Sequence, residues 1–145
     1  MSRAQFSIPL ILLLTLLLAG CKTLDIGSLT KSDAEKTLRT ALRGYEATLR
    51  WGFPGQAYNF LKPELKAKSK IPDNLDNIKV TNYHVLQAPI MQGEKEETIT
   101  AEQGVVILYV FEDRQIERKL VDNQTWEYIP DEKTWVRTNP IPEFK

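Results

Sequence analysis

The spacing of apolar residues changes twice along this chain, and each change marks a different kind of structure. An apolar run broken only by Pro9 and Thr15 covers residues 8–18. From Ser32 to Leu49 apolar residues recur at the spacing of one helix face, and from Ile78 onward they alternate or form short strand-like runs. The pattern therefore predicts an apolar leader, then helices, then a sheet, which is an α+β order.

The first predicted helix has clear start and stop signals. Ser32 and Glu35 fit a capping box, and Gly52 followed by Phe53-Pro54 predicts the end. Its apolar stripe comprises Ala34, Leu38, Ala41, Leu42, Tyr45 and Leu49. A shorter helix carrying Ala57, Tyr58, Phe60 and Leu61 follows, and Pro63 ends it or opens another turn. We expect two or three N-terminal helices.

The second half predicts a four-stranded antiparallel sheet. Five strand-like segments are the candidates for these four strands: Ile78–Leu86, Val105–Phe111, Ile116–Val121, Trp126–Ile129 and Thr134–Arg137. Val105–Phe111 is apolar without interruption, which favours a central strand covered on both faces. The last two segments form a hairpin around Pro130-Asp131-Glu132. A register centred on that turn places Tyr128 opposite Trp135. It also places Trp126 opposite Arg137, so aromatic and cation–π pairs are expected across these strands.

The apolar leader ends in Leu18-Ala19-Gly20-Cys21, after a positive start at Arg3. This motif resembles the lipobox of bacterial lipoproteins. The resemblance implies cleavage between Gly20 and Cys21 and lipidation of Cys21. An uncleaved transmembrane helix is one alternative, although the run covers only about 18 Å of a hydrocarbon core about 30 Å thick. A soluble secreted protein with one free cysteine is the other.

The residue after the cysteine implies an address in the cell envelope. Lys22 stands where an aspartate would imply retention in the inner membrane, so the resemblance implies the periplasmic face of the outer membrane. We expect a signal peptide over 1–20, a lipidated cysteine and flexible tether over 21–31, one domain over 32–138 and a C-terminal tail over 139–145. The expected partner is the membrane, through the acyl chains on Cys21.

Composition narrows the classes of function. The chain has 145 residues and one cysteine, so a disulfide within it is excluded. Removing Arg3 with the leader leaves 18 basic against 19 acidic side chains. That balance argues against a nucleic-acid partner, which requires a basic surface. No cofactor is expected.

Candidate chemistry is sparse. His84 is the only histidine, which excludes metal sites built on two histidines. It is either a general acid or base paired with Asp113 or Glu117, or a half-exposed strand residue. Six rings are candidates for a pocket lining or a docking surface, with core packing as the alternative. They are Trp51, Tyr58, Tyr109, Trp126, Tyr128 and Trp135.

The order of elements resembles the nuclear-transport-factor-two-like, or cystatin-like, cone fold. The residues that carry the resemblance are Tyr45, Trp51-Gly52, Gln56–Leu61 with Pro63-Glu64, and Trp126, Tyr128 and Trp135. It implies a long helix lying across a strongly curved sheet. We expect a non-enzymatic binding or assembly module of unknown partner, and the candidate partners are an envelope protein and a small apolar ligand. The alternative is a cone that binds or converts a small apolar ligand, as isomerases and dehydratases do, although their catalytic aspartate or aspartate–histidine pair cannot be mapped onto this chain.

Overall fold

A computed structural model describes residues 26–93 and 98–145 of the chain, with side chains from residue 31. The helices are α1 (Ile26–Trp51), a 3₁₀ helix (Pro54–Phe60), α2 (Pro63–Lys68) and a second 3₁₀ helix (Asp73–Asn77). The strands are β1 (Ile78–Val85), β2 (Ile90–Gln92), β3 (Thr100–Phe111), β4 (Glu117–Ile129) and β5 (Thr134–Arg137). The leader, Cys21 and Lys22 lie outside the described residues.

Helix α1 begins at Ile26, six residues before the predicted start at Ser32. A capping box marks a favourable start, but the segment before it contains only one glycine and no proline, so the helix continues through it. Residues 26–31 of the expected tether are therefore helical. The predicted end at Trp51 is confirmed, and the Gly52 amide closes the last turn on the Thr48 carbonyl at 3.1 Å. The predicted stripe faces the core: Ala34, Leu38, Leu42, Tyr45 and Leu49 are buried.

The sheet is antiparallel and curved, and its order is β1-β3-β4-β5. The α+β class is thus confirmed, with one strand more than predicted. Strand β2 has only three residues and pairs with β3 near Ala101, beyond the end of β1. Its single apolar pair, Ile90-Met91, is too short to stand out as a period.

Strand β1 changes faces at a bulge. The register with β3 shifts between Val80 and Asn82. Ile78 and Val80 are buried before the shift, and Tyr83 is buried after it. One extra residue moves every later side chain to the other face, which is why the period-two pattern of this segment mixes apolar and polar residues on each face.

Strand β3 is covered on one face only within the described part of the chain, so the prediction of two covered faces is wrong there. Val105, Ile107, Tyr109 and Phe111 are buried, whereas the intervening residues are half-buried. We call the face that carries the buried side chains the inner face of the sheet, and the opposite face the outer face. An apolar run can therefore mark a strand whose outer face is apolar and open.

Strand β4 joins two segments that the sequence pattern separated. It runs unbroken over 13 residues, and its polar middle includes Asp122 and Gln124, which point to the inner face. The predicted hairpin register is confirmed: Tyr128 pairs with Trp135. Trp126 likewise pairs with Arg137.

The segment after β5 packs on the inner face of the sheet. Ile141 and Phe144 are each 6 % exposed, and the Phe144 ring lies 5.0 Å from that of Tyr109. The Tyr109 hydroxyl donates to the Lys145 carbonyl at 2.6 Å and accepts from its amide at 2.9 Å. The segment 139–145, which we expected to be a tail, therefore contributes to the core.

Candidate functional site

The most unusual feature of the interior is an ion pair between β4 and β5. Arg137 Nη2 lies 2.6 Å from Asp122 Oδ1, and Arg137 Nη1 lies 2.9 Å from Asp122 Oδ2. Both residues are at most 2 % exposed. Helix α1 covers the pair with Tyr45, whose hydroxyl accepts from Arg137 at 2.7 Å and donates to Asp122 at 3.2 Å.

The guanidinium of Arg137 uses all five of its N–H donors. Besides Tyr45 and the two carboxylate oxygens, Nε donates to the Asn139 carbonyl at 3.1 Å and Nη2 to the Pro140 carbonyl at 2.8 Å. These last two bonds fix the turn that leads the chain to Ile141 and Phe144. A ligand could reach this guanidinium only by displacing an existing partner, so the geometry is that of a structural centre.

The network continues from Asp122 along the inner face. Gln124 Nε2 donates to Asp122 Oδ2 at 3.0 Å and to the Tyr83 hydroxyl at 2.8 Å. Gln124 Oε1 accepts from Trp126 Nε1 at 3.2 Å. The polar residues therefore form one chain of hydrogen bonds from β5 through β4 to β1, and helix α1 closes it from above.

The network changes the titration of its members. Burial raises the pKa of the Tyr45 phenol well above its ordinary value, against the lowering effect of Arg137. Burial likewise raises the pKa of Tyr83. Burial alone would lower the pKa of Arg137, but hydrogen bonds to Asp122 and the charges around it raise the value. The tyrosines thus remain neutral and the arginine charged at neutral pH.

The predicted aromatic set divides into one exposed ring and five buried ones. Trp51 is 78 % exposed. The buried members are Tyr58, Tyr109, Trp126, Tyr128 and Trp135. The rings of Tyr128 and Trp135 pack across the hairpin with centroids 5.4 Å apart and planes inclined by 45°. The cation–π partner differs from the expected one, because the Arg137 guanidinium lies 5.2 Å from the Tyr45 ring. Trp126 packs edge-to-face on Tyr45 at 5.7 Å.

His84 lies on the outer face, away from the network. His84 pairs with Val106 on β3, which in turn pairs with Val121 on β4, so the next residues across the sheet from His84 are two valines. Glu117 is paired with Val110, four residues along β3 from Val106 and thus about 13 Å from the row of His84. Asp113 lies beyond it, in the turn, and accepts from Asn77. The structure does not bring His84 together with either carboxylate.

An exposed aromatic surface lies at the C-terminal end of α1. We call it the aromatic end, and it comprises Trp51, Phe53 and Ile71, which are 78 %, 64 % and 49 % exposed. Ile71 lies beside Gly55, where a Cβ would be 3.6 Å from the isoleucine. Arg50 stacks on Trp51 at 4.8 Å. Trp51 and Phe53 border a groove of about 620 Å³.

The sequence pattern singled out Trp51 but missed the buried network. Asp122 and Gln124 lie four and two residues before Trp126 on β4. Because residues two apart on a strand share a face, both are expected on the same inner face as Trp126. Their polarity instead suggested a break in the strand. The alternation of inward and outward side chains continues through these polar residues, and this regularity could have revealed them. A carboxylate buried in this way requires a charged partner, and Arg137 is that partner.

Residues 26–93 and 98–145 show neither a membrane span nor a metal cluster. None of their helices is long and apolar enough to cross a membrane. They also contain no group of three or more histidine, cysteine, aspartate or glutamate side chains placed to hold a metal ion.

Comparison of the chain with protein-family models, curated proteins and solved structures finds no match.

Proposed function

We propose that this chain is a membrane-anchored lipoprotein of the cell envelope, lipidated on Cys21, whose α+β domain is a binding or assembly module. The lipobox motif Leu18-Ala19-Gly20-Cys21 supports the anchor. Lys22 favours the periplasmic face of the outer membrane. Each buried methylene contributes about 0.8 kcal/mol, and two or more acyl chains make such attachment stable.

The start of α1 supports a short connection between anchor and domain. Ile26 follows Cys21 by five residues, which span at most about 17 Å. The tethered end of the helix would therefore stay close to the bilayer. Trp51 ends the same 26-residue helix, about 38 Å from Ile26. An upright helix would present the aromatic end to a partner well away from the lipid surface.

We further propose the cone topology for the domain. A long helix packed across the inner face of a curved antiparallel sheet supports it. In such a cone a ligand would lie between the helix and the sheet. In the described part of this chain that space holds Tyr45, Asp122 and Arg137, which contact one another. This filling favours binding on the surface over binding of an apolar ligand inside.

The observation that carries the binding role is the exposure of the aromatic end. Large rings exposed together are typical of surfaces that contact another protein, and tryptophan is enriched among residues that dominate binding energy. The polar groups that border the groove, including Asp76, Lys79 and Glu112, suit the rim of such a surface. The partner class is an envelope protein.

Two experiments test the two parts of the proposal. Metabolic labelling with a radioactive fatty acid should label the wild type and not Cys21→Ser; equal labelling, or none in either, contradicts the anchor. A photo-crosslinking residue at position 53 should give a discrete adduct with another envelope protein in intact cells. The same residue at position 36, on the exposed side of α1, should not. Identical adduct patterns at both positions contradict the binding role.

A further inference from the structure

A small hollow opens between helix α1 and the inner face of the sheet, on the side of β1. Its volume is about 170 Å³, which corresponds to roughly six water molecules at about 30 Å³ each. Leu42, Val85 and Pro89 supply its apolar walls. The helix residues that border it lie within 39–46, whereas the groove at the aromatic end begins at Leu49, so the two are separate.

Two arginines stand on the helix side of this hollow. Arg39 and Arg43 lie about one turn apart on α1, are exposed, and both border the hollow. Within the described chain neither has a carboxylate at ion-pair distance. By contrast, Arg50, Arg114 and Arg137 each have one. Like charges four residues apart destabilise a helix, and an anion in the hollow would relieve that repulsion.

The buried side of the hollow carries an amide with a free hydrogen-bonding capacity. Gln103 points to the inner face of the sheet and is 6 % exposed. Gln124, opposite it on β4, uses its amide in three hydrogen bonds, but the Gln103 amide forms none with another described residue. Fully buried polar side-chain atoms of the described chain all have partners. The Gln103 amide therefore reaches solvent, and the hollow is the opening that it borders on the inner face.

A hydroxyl donor lies beside this amide. Tyr83 borders the hollow and is 8 % exposed. Its oxygen accepts from Gln124 at 2.8 Å, and among the described residues its proton has no acceptor. Because burial raises the pKa of Tyr83, the hydroxyl keeps that proton at neutral pH. Hydroxyl, amide and guanidinium donors thus meet in one place, which is the chemistry of an anion site.

The charge of the lining selects among anions. Glu46 is its one acidic residue, and its carboxylate accepts from Arg50 at 3.1 Å, which holds it toward the C-terminal end of α1. Two arginines and one carboxylate give the lining a net positive charge of one. That suits a singly charged carboxylate better than a phosphate group, which carries up to about two negative charges. The planar fork of an arginine also matches the two oxygens of a carboxylate.

We propose that this hollow binds a small aliphatic carboxylate. Arg39 and Arg43 are its charged donors, and Gln103 is its buried donor. The apolar walls take the alkyl group, and the volume limits the ligand to an acid of a few carbon atoms. Such a site follows the usual design of small-molecule sites, in which apolar walls surround a few converging polar groups. It goes beyond the proposed function, which concerns the anchor and the aromatic end.

The test is a titration of the isotope-labelled protein, purified from membranes in detergent, with sodium butyrate at constant ionic strength. Nuclear magnetic resonance follows the side-chain amide signals of Gln103, which are assigned by their loss in Gln103→Leu. They should shift and saturate at millimolar butyrate. Butyramide has nearly the same shape without the charge and should bind about tenfold more weakly, because a lost charge-assisted hydrogen bond costs at least that factor. No saturable shift with butyrate, or equal affinity for butyramide, overturns the proposal.

Variants of α1 locate the site. Arg39→Gln and Arg43→Gln should each weaken butyrate binding severalfold. Lys36→Gln removes one charge from the exposed side of the same helix, outside the hollow, and should leave the affinity unchanged. The dispersed amide signals of each sample report that it is folded. Unchanged affinity in both arginine variants, or an equal loss in Lys36→Gln, overturns the proposal. The titration involves neither the anchor nor the aromatic end, so its failure would leave the proposed function untouched.

Discussion

Arg137 and Asp122 pair through two parallel hydrogen bonds of 2.6 and 2.9 Å in a part of the core closed to solvent. A bidentate pair is strong only when its remaining donors are also satisfied. Tyr45 and the carbonyls of Asn139 and Pro140 meet that condition. One side chain thereby links helix α1, strand β4 and the segment that follows β5.

Replacing Arg137 with methionine should be strongly destabilising. The change keeps most of the side-chain volume but leaves Asp122 buried without its cation, which costs about 3–5 kcal/mol of unfolding free energy. Lys62→Met removes the partly exposed ion pair with Glu127 and should cost far less, because ion pairs in contact with solvent contribute little to stability. Urea denaturation followed by circular dichroism measures both. Equal losses in the two variants would contradict a structural role of the buried network.

Alkaline pH should weaken the fold through its buried phenols. The folded pKa values of Tyr45 and Tyr83 are raised above the unfolded value near 10. Below pH 10 their contribution is complete. Above pH 10 the unfolded chain loses these protons first, so the unfolding free energy falls by about 1.4 kcal/mol per pH unit for each tyrosine. Tyr83→Phe should show a slope shallower by up to that amount as the pH rises above 10; an unchanged slope would mean that Tyr83 ionises freely in the folded state.

The two kinds of tryptophan should respond differently to truncation. Trp126 is fully buried and contacts Tyr45 and Phe60, so Trp126→Ala should cost about 3–5 kcal/mol. Trp51→Ala should change stability by no more than about 0.5 kcal/mol, because the ring is mostly in solvent. Loss of the position-53 crosslink in a stable Trp51→Ala protein would support the aromatic end as the contact surface. A large loss of stability in Trp51→Ala would instead place that ring in the core.

The segment after β5 should behave as core. Phe144→Ala removes a ring that packs on Tyr109, and we expect a loss of about 3 kcal/mol. Glu143→Gln alters an exposed neighbour paired with Lys145 and should be nearly neutral. Thermal unfolding of the two variants decides the point: similar midpoints would mean that residues 139–145 are a tail after all.

The elements that the sequence predicted well are those in which local and tertiary preferences agree. The stripe from Ala34 to Leu49 has one solution as a helix face. The turn at Pro130-Asp131-Glu132 fixed the register of its hairpin, so the partners of Trp126 and Tyr128 followed. In each case neighbours in sequence determine the structure.

The parts that were missed depend on distant partners. Asp122 and Gln124 looked like a break in a strand because nothing nearby shows that Arg137 and Tyr83 will satisfy them. The bulge after Val80 depends on register against β3 and has no local signature. The sequence alone could not distinguish a β3 strand with an open outer face from one covered on both faces, because both strands have the same uninterrupted apolar run.

The anchor on Cys21 is the central claim, and intact-mass spectrometry of the protein purified from membranes tests it most directly. We expect a chain that begins at Cys21 and carries the added mass of a diacylglycerol and an amide-linked acyl chain. A chain that retains residues 1–20, or one that carries no added mass on Cys21, would contradict it.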